Sequence, residues 1–342
     1  MRRAFTNALL VVVSVAVGLV VVDRVVLWIE PISGIYRYDA DTDYVMRPNV
    51  SIRYRSPEYD ILIETNSRGL RGPSPPDGDR CVVLVLGDSF AFGYGVNEAE
   101  TFPRRLESLL EAQFPGRFQV VNAGHSGYDT RRELLFFKKR AESLRLGAVV
   151  VQFFINDILS NSGEFHFSPI SGGALSRLPL AGLDALQTYL TEAPEKLLFK
   201  MGLNPDYREI EHFDCLRENT CEDGWAATRT LIEEFSTAAT DAGAPMILFR
   251  IPATEEVVRD PLLGDYGRDR AARSLAEIAA AAAIDYVDLG MDPGLTPDAY
   301  FPIDGHLTAT GNARAAAWLF DRGLARWQTL ATECGGALVD DS

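Results

Sequence analysis

From residue 81 onward, short continuous apolar runs alternate with longer stretches in which apolar residues recur at helical spacing. Continuous apolar runs rich in β-branched residues are typical of strands that are buried on both faces of a sheet. Five such strands are predicted, at residues 81–86, 118–121, 148–155, 245–251 and 284–289. Strands of this kind occur mainly in parallel sheets, whose two faces are covered by helices.

The amphipathic stretches between these runs predict the covering helices. They span residues 101–114, 131–144, 225–242, 268–283 and 309–330. The first helix has the clearest start, because Thr101 is a good N-cap residue and Pro103 suits the first helical turn. Regular alternation of strand and helix predicts an α/β fold in which a parallel sheet lies between two helical layers.

The start of the chain has a different pattern. Residues 8–29 are apolar apart from the adjacent pair Asp23 and Arg24, and are long enough to cross a bilayer if that pair reaches the membrane interface. Arg2 and Arg3 favour a cytoplasmic N-terminus, which places the rest of the chain outside. The rival interpretation is a cleaved signal peptide, but no clean A-x-A cleavage site follows the apolar core. The sequence therefore predicts a single N-terminal transmembrane helix and a periplasmic or extracellular main part.

These patterns divide the chain into four parts: an anchor at residues 1–30, an extension at 31–80, a strand–helix domain at 81–330 and a tail at 331–342. The extension contains a strand signal at residues 61–63 and a turn-rich run at residues 65–72, and we expect it to pack on the domain that follows. Residues 158–224, after the third strand, are longer than an ordinary connection. They are predicted to form a lid or specificity insertion.

Composition restricts the function before any motif is considered. The 342 residues include 33 Lys and Arg against 48 Asp and Glu, which gives a formal net charge of −15. So acidic a chain disfavours nucleic acid as a partner, because phosphates are bound by basic patches. The hydrophobic content of 47% is that of a globular protein with a sizeable core.

The four cysteines do not indicate a metal site. The sequence contains no CxxC or HExxH motif, so neither a metal nor a cofactor is predicted. Cys215 and Cys221 are close enough to close a small disulfide loop in an oxidising compartment. Cys81, which opens an apolar run, is predicted to be a buried and unreactive thiol. Three histidines are predicted to be surface or loop residues rather than ligands: His125, His166 and His212.

Polar residues with catalytic potential follow three of the predicted strands and precede the last helix. They are Gly87-Asp88-Ser89, the segment 122–128, Asn156-Asp157 and Asp304-Gly305-His306. The carboxyl ends of parallel strands meet at one edge of a sheet, where ligands bind. A hydroxyl, a flexible backbone segment, a side-chain amide and an Asp/His pair are therefore predicted to come together. The G-x-S-x-G elbow of α/β-hydrolases is absent around the serine.

In this order the four blocks resemble those of the SGNH/GDSL hydrolase superfamily, and the resemblance covers the strand–helix domain at residues 81–330. It implies a flavodoxin-like three-layer α/β/α sandwich and a serine esterase or acyltransferase. It further implies that Ser89 is the nucleophile, His306 its base and Asp304 the residue that orients His306. The backbone amides of Ser89 and Gly127 and the side chain of Asn156 would form the oxyanion hole. Each role has a physical reason, because serine attacks only when an oriented imidazole takes its proton and donors await the oxyanion.

The Asp/His block departs from the commonest family pattern. Many members separate the two residues by two positions, whereas only Gly305 lies between Asp304 and His306. This D-x-H form is also familiar among exported members that act on acylated polysaccharides. The structural alternative for this block is a turn that begins the last helix, with Thr308 or Thr310 as its cap.

Other residues of the motif blocks also have alternatives. Both Gly124 and Gly127 are candidates in the second block, and the alignment of its first residue favours Gly127. Ser126 is a weaker nucleophile candidate than Ser89, because no strand-to-helix turn presents it. Asp88 is expected to cap the following helix or to brace the serine turn by accepting backbone amides.

The leading interpretation is a membrane-anchored esterase that cleaves O-acyl esters, acetyl or short acyl, through an acyl-serine intermediate. Its partner is an acyl ester substrate, for which an acylated glycan is one candidate. An O-acetyltransferase with the same catalytic residues is the first alternative, since both reactions share the acyl-enzyme and differ in whether water is excluded. The second alternative is a non-catalytic glycan-binding scaffold, because fold does not dictate function.

Overall fold

A computed structural model describes residues 2–74, 80–140, 144–163, 168, 177–191, 220–259 and 264–335. The chain divides into two compact units. The N-terminal unit comprises residues 1–47, 52–54 and 168–208, and the sheet unit comprises residues 48–51, 55–167 and 209–342. Most of the predicted insertion at residues 158–224 lies outside the described residues, as do His166 and His212.

The strands of the described residues are, in chain order, β1 (Tyr36–Asp39), β2 (Asp43–Met46), β3 (Ser51–Arg55), β4 (Asp60–Glu64), β5 (Cys81–Leu86), β6 (Phe118–Asn122), β7 (Leu146–Phe153), β8 (Met246–Arg250) and β9 (Asp285–Asp288). Strands β5 to β9 form one parallel sheet in the spatial order β6-β5-β7-β8-β9. This is the 2-1-3-4-5 order of flavodoxin-like folds, with its switch point between β5 and β7. The predicted parallel sheet is confirmed, and β4 includes the predicted strand signal.

The helices of the described residues are, in chain order, α1 (Arg2–Ile29), α2 (Ser89–Phe92), α3 (Phe102–Gln113), α4 (Thr130–Arg140), α5 (Asp157–Ser162), α6 (Ala181–Thr191), α7 (Glu222–Asp241), α8 (Thr254–Val258), α9 (Gly264–Ala281), α10 (Ala309–Arg322) and α11 (Leu324–Gly335). Short 3₁₀ turns lie at Pro31–Ile35, Glu98–Glu100, Leu289–Met291 and Pro297–Ala299. Thr101 caps α3 as predicted, since its hydroxyl accepts the Arg104 amide at 3.4 Å.

Strand β5 illustrates why its sequence is uniformly apolar. Successive side chains of a strand point to opposite faces, and all six residues of β5 are buried. Cys81, Val83 and Val85 join the core that includes α3, α10 and α11. Val82 and Leu84 point to the other face, where α4, α5 and α7 pack together. Each buried aliphatic side chain stabilises the fold by roughly 1.5–3 kcal/mol.

The single closing helix predicted at residues 309–330 is instead two helices, because α10 ends before Gly323 and α11 begins after it. The Gly323 amide donates to the Leu319 carbonyl at 3.0 Å and ends α10. A side chain at this position would collide with the completely buried indole of Trp327, whose Nε1 would lie 2.7 Å from the added Cβ. The glycine thus lets α11 pack against α10.

Cys81 is disulfide-bonded, contrary to the prediction of a free buried thiol. Its partner is Cys334 in α11, with the two Cα atoms 5.9 Å apart. Helix α11 ends at Gly335, so it extends beyond residue 330, after which the tail was expected to begin. The sequence does not predict the pair because 253 residues separate the two cysteines. Cys221 is also disulfide-bonded, whereas Cys215 lies outside the described residues.

In the N-terminal unit, α1 is long and apolar enough over Arg3–Ile29 to cross a membrane. Asp23, expected to reach the membrane interface with Arg24, is instead completely buried. Its carboxylate accepts the backbone amides of Gly182 at 2.8 Å and Leu183 at 3.2 Å, in the first turn of α6. An acidic side chain at a helix N-terminus satisfies unpaired amides and complements the helix dipole. Helix α6 is thus capped by a residue of α1.

Candidate active site

The first motif block forms a tight turn between β5 and α2. Gly87 has a φ of +154°, and a side chain there would collide with Gln152. Asp88 caps α2 as expected, because its carboxylate accepts the Phe90 amide at 2.8 Å. Gln152 Oε1 accepts the amide of Asp88 and a second amide in α2, both at 3.2 Å. These contacts hold Ser89, the first residue of α2, at the carboxyl edge of the sheet.

Ser89, His306 and Asp304 are joined by direct hydrogen bonds. The Ser89 Oγ lies 2.7 Å from His306 Nε2, and Asp304 Oδ1 lies 2.5 Å from His306 Nδ1. Burial raises the pKa of Asp304, but the charge and hydrogen bonds of His306 outweigh this effect and hold that pKa below its usual range. In this arrangement Nδ1–H donates to the carboxylate, and Nε2 is free to accept the serine proton.

The loop that carries Asp304 and His306 explains their unusual spacing. Gly305 has a φ of +79°, a conformation that favours glycine. The Phe301 amide donates to the His306 carbonyl at 2.8 Å, and the Gly305 amide donates to the Phe301 carbonyl at 2.9 Å. Within this turn a single intervening residue is sufficient to bring the carboxylate onto the imidazole. The ring of Phe90 packs 4.9 Å from the imidazole, centroid to centroid.

Different structural features explain why glycine stands at the two positions of the second motif block. A side chain at Gly124 would collide with the backbone of α2 at Phe92, so glycine is required there for close approach. Gly127 has a φ of +84° and is half-buried, and its carbonyl accepts Arg132 at 3.4 Å. Gly124 therefore lets the loop after β6 pack closely against the serine helix, whereas Gly127 forms a turn with positive φ in that loop.

Asn156 is half-buried immediately before α5. Its side chain lowers the pKa of Asp88, the residue before Ser89, although burial raises that pKa by more. The structure thus joins Ser89, His306 and Asp304 directly and places Asn156 beside the serine turn. The oxyanion-hole role of Asn156 and Gly127 stays a prediction.

Arg71, in the turn-rich run of the extension, supports the loop that follows α2. The residue is 1% exposed, and its guanidinium donates to the carbonyls of Phe92 at 2.7 Å, Gly93 at 2.5 Å and Val96 at 2.5 Å. The guanidinium carbon also lies 4.7 Å from the centre of the Phe92 ring. Sequence reasoning assigned this run only to turns, because nothing local in it indicates that an arginine is buried.

Three buried carboxyls interact with one another near the serine turn, and sequence reasoning missed Glu133 among them. Asp88, Glu133 and Asp157 are at most 1% exposed. Burial raises the pKa of Asp88 to about 6, although the Phe90 amide and the charge of His306 oppose this rise. Burial and repulsion between carboxylates raise the pKa values of Glu133 and Asp157 well above the usual range. Neither carboxyl oxygen of Glu133 has a hydrogen-bond partner among the described residues.

Glu133→Gln is expected to be more stable than the wild type at pH 8, by a margin that vanishes near pH 4. The unfolded chain loses the Glu133 proton above its ordinary pKa of 4.5, whereas the folded chain keeps it. Rising pH therefore favours unfolding of the wild type, by about 1.4 kcal/mol per pH unit, until the folded carboxyl ionises. Urea unfolding at several pH values measures this slope. Glu277→Gln, at an exposed position of α9, is the matched control, and equal slopes for the wild type and Glu133→Gln would contradict the prediction.

His125 was predicted to be a surface or loop residue. It lies in the loop after β6, but it is completely buried, with its ring stacked on Tyr128 at 4.5 Å. Its Nδ1 lies 2.9 Å from the Ala123 carbonyl. Among the described residues, no group of three or more histidine, cysteine, aspartate or glutamate side chains has the arrangement of a metal site.

The Ser89 hydroxyl is hydrogen-bonded to an imidazole, which in turn contacts a carboxylate, at the carboxyl edge of a parallel sheet. This arrangement defines a serine hydrolase. The model of the GDSL-like lipase/acylhydrolase family matches residues 85–314. The chain belongs to this family and is a serine ester hydrolase. The family resemblance carried by the four motif blocks is thereby confirmed.

Several solved structures are similar to this chain. The crystal structure of TesA is 16% identical, with a TM-score of 0.44, and the match covers 72% of this chain and 99% of TesA. Axe2, an acetylxylan esterase from Geobacillus stearothermophilus, is 18% identical, with a TM-score of 0.42 and coverages of 70% and 93%. The psychrotrophic esterase EstA from Pseudoalteromonas sp. is 14% identical, with a TM-score of 0.44 and coverages of 72% and 98%. A search of curated protein sequences found no match.

Proposed function

We propose that the protein is a membrane-anchored esterase that hydrolyses O-acyl esters of short acyl chains outside the cytoplasm, with Ser89 as its nucleophile. The observation that carries this proposal is the continuous hydrogen-bonded path from Ser89 Oγ through His306 to Asp304. A hydroxyl placed 2.7 Å from an imidazole nitrogen can transfer its proton as it attacks.

The reaction proceeds in two steps. Ser89 Oγ attacks the ester carbonyl while His306 Nε2 takes the hydroxyl proton, and Asp304 stabilises the imidazolium that forms. His306 then gives this proton to the departing alkoxide, which leaves as the alcohol and an acyl-serine. A water molecule next attacks the acyl carbon, His306 takes a proton from it, and the carboxylic acid is released as Ser89 regains its hydrogen.

The oxyanion of each tetrahedral intermediate needs donors that are already in place. We assign this role to the backbone amides of Ser89 and Gly127 and to the side-chain amide of Asn156. The φ of +84° at Gly127 supports the assignment, because the loop after β6 there has a conformation that favours glycine over residues with a side chain. The position of Asn156 beside Asp88, the residue before Ser89, supports it as well.

Two features support a retained anchor and export. The carboxylate of Asp23 caps α6 through the amides of Gly182 and Leu183, so removal of α1 would uncap a helix of the mature chain. The disulfide between Cys81 and Cys334 is typical of proteins that fold in an oxidising compartment.

Labelling with a charged, membrane-impermeant fluorophosphonate tests both parts of the proposal. The full chain is expressed in bacteria, the outer layers are removed, and the intact spheroplasts are treated with the probe. Peptide mass spectrometry is expected to find the label on Ser89, in the membrane pellet. Labelling only after lysis would contradict the location outside the cytoplasm but would still support Ser89 as the nucleophile. If the detergent-solubilised protein were not labelled at all, the assignment of Ser89 as the nucleophile would be wrong.

A further inference from the structure

A short turn of the extension lies directly against the loop that carries Asp304. In this turn the Ser56 amide donates to the Tyr59 carbonyl at 2.9 Å, and the Ser56 hydroxyl accepts the amides of Glu58 at 3.1 Å and Tyr59 at 3.2 Å. The turn, its contacts and the Asp304 loop all belong to the sheet unit. The backbone of residues 56–59 is thereby held in one conformation, which directs two side chains onto a single loop.

Tyr59 contacts the carboxylate that serves His306. Its hydroxyl donates to Asp304 Oδ2 at 2.9 Å, while Oδ1 faces His306 Nδ1 at 2.5 Å. Each carboxylate oxygen therefore has its own donor, on opposite sides of the group. The hydrogen bond from Tyr59 also lowers the pKa of Asp304. Its effect is smaller than that of burial, which raises this pKa, and smaller than that of His306, which lowers it.

The phenol ring is fixed in place by its neighbours. Its centre lies 5.2 Å from that of Phe301 and 6.3 Å from that of Tyr94, whose ring also packs 4.9 Å from the His306 imidazole. A side chain at Gly95 would meet Phe301 at 2.6 Å and Tyr59 at 3.3 Å, so glycine makes room for this aromatic group. The donor to Asp304 is therefore a rigid one.

Glu58 holds the backbone of the same loop. Its two carboxylate oxygens accept the amides of Ile303 at 2.9 Å and Asp304 at 2.7 Å. Charged acceptors make stronger hydrogen bonds than neutral ones. The loop is thus fastened at its main chain by Glu58 and at its functional side chain by Tyr59.

We propose that Tyr59 is a positioning residue of the active site, acting through Asp304; this inference rests on the proposed function. A carboxylate held by one donor can rotate about its Cβ–Cγ bond and lose the geometry that fixes the imidazole tautomer. The second donor removes that freedom before substrate binds, which lowers the cost of reaching the transition state. The extension therefore completes the catalytic array, and Glu58 supports it from the backbone side.

Tyr59→Phe in the full chain tests this proposal, because it removes the hydroxyl and keeps the ring. With p-nitrophenyl acetate, kcat is expected to fall roughly 10-fold while KM stays unchanged, since only a transition-state interaction is weakened. The same loss is expected in the rate of fluorophosphonate labelling of Ser89. Arg55→Met is the matched control, because Arg55 and Asp60, which form an ion pair at 3.2 Å, are both exposed.

A double-mutant cycle separates positioning from a general structural effect. In an Asp304→Asn background, Tyr59→Phe is expected to slow labelling less than about 2-fold, because a residue that acts through Asp304 has nothing left to orient. An equal loss in both backgrounds, or full activity of Tyr59→Phe alone, would overturn the proposal. If instead the wild-type activity does not depend on Ser89, the proposed function itself fails, so the two failures are distinguishable.

Discussion

Replacement of Ser89 by alanine is expected to lower kcat/KM for p-nitrophenyl acetate by on the order of 10⁴-fold or more. The alanine keeps the backbone amide of residue 89 but removes the only atom that can form the acyl-enzyme. Residual turnover then depends on water attacking the ester directly, helped by the oxyanion donors that remain. The fold should persist, because Ser89 is only half-buried and the hydrogen bond that its hydroxyl loses is the one to His306.

Two comparisons make the result specific. Ser108→Ala, on the exposed face of α3, is expected to retain full activity and serves as the matched serine control. Adding His306→Ala to Ser89→Ala should cause little further loss, because nucleophile and base act as a unit. If Ser89→Ala kept the wild-type rate in purified, folded protein, the site would have to lie elsewhere.

Removal of the disulfide by Cys81→Ala together with Cys334→Ala is expected to lower the free energy of unfolding by about 3–5 kcal/mol. The bond joins residues 253 positions apart, so it restricts almost the whole sheet unit in the unfolded state. Its loss frees the first residue of β5, the strand that leads to Ser89, from α11. Urea unfolding of the full chain in detergent, without reductant, measures the difference.

The single variant Cys334→Ala provides the control for this prediction. It breaks the same bond and should therefore be nearly as unstable as the double variant. A loss below about 1 kcal/mol in the double variant would show that the bond adds little to the packing around it.

The sheet and the nucleophile were predictable because their signals are local. A strand buried on both faces has to be apolar at every position, so β5 was found with its correct bounds. Ser89 follows that strand directly, and the order of the four blocks gave the family. Even the cap at Thr101 depends on residues of a single turn.

Other expectations failed where packing overrides the periodic pattern. The helix predicted at residues 309–330 breaks because Gly323 accommodates the Trp327 indole. Glu133 lies in the amphipathic helix predicted at residues 131–144, and three and four residues further on come Phe136 and Phe137, both buried. The position of Glu133 near this apolar face was visible in the sequence, but its burial without a hydrogen-bond partner among the described residues was not.

The sequence by itself determined the order of strands and helices, the class of enzyme and the identity of Ser89 and His306 as candidates. Those conclusions depend on periodicity and on motifs, which each segment carries alone. The tertiary structure decided which residues support the site: Tyr59 reaches Asp304 across 245 positions, and Cys81 reaches Cys334 across 253. Such contacts leave no local pattern, because either partner could pack against many residues until the whole chain has folded.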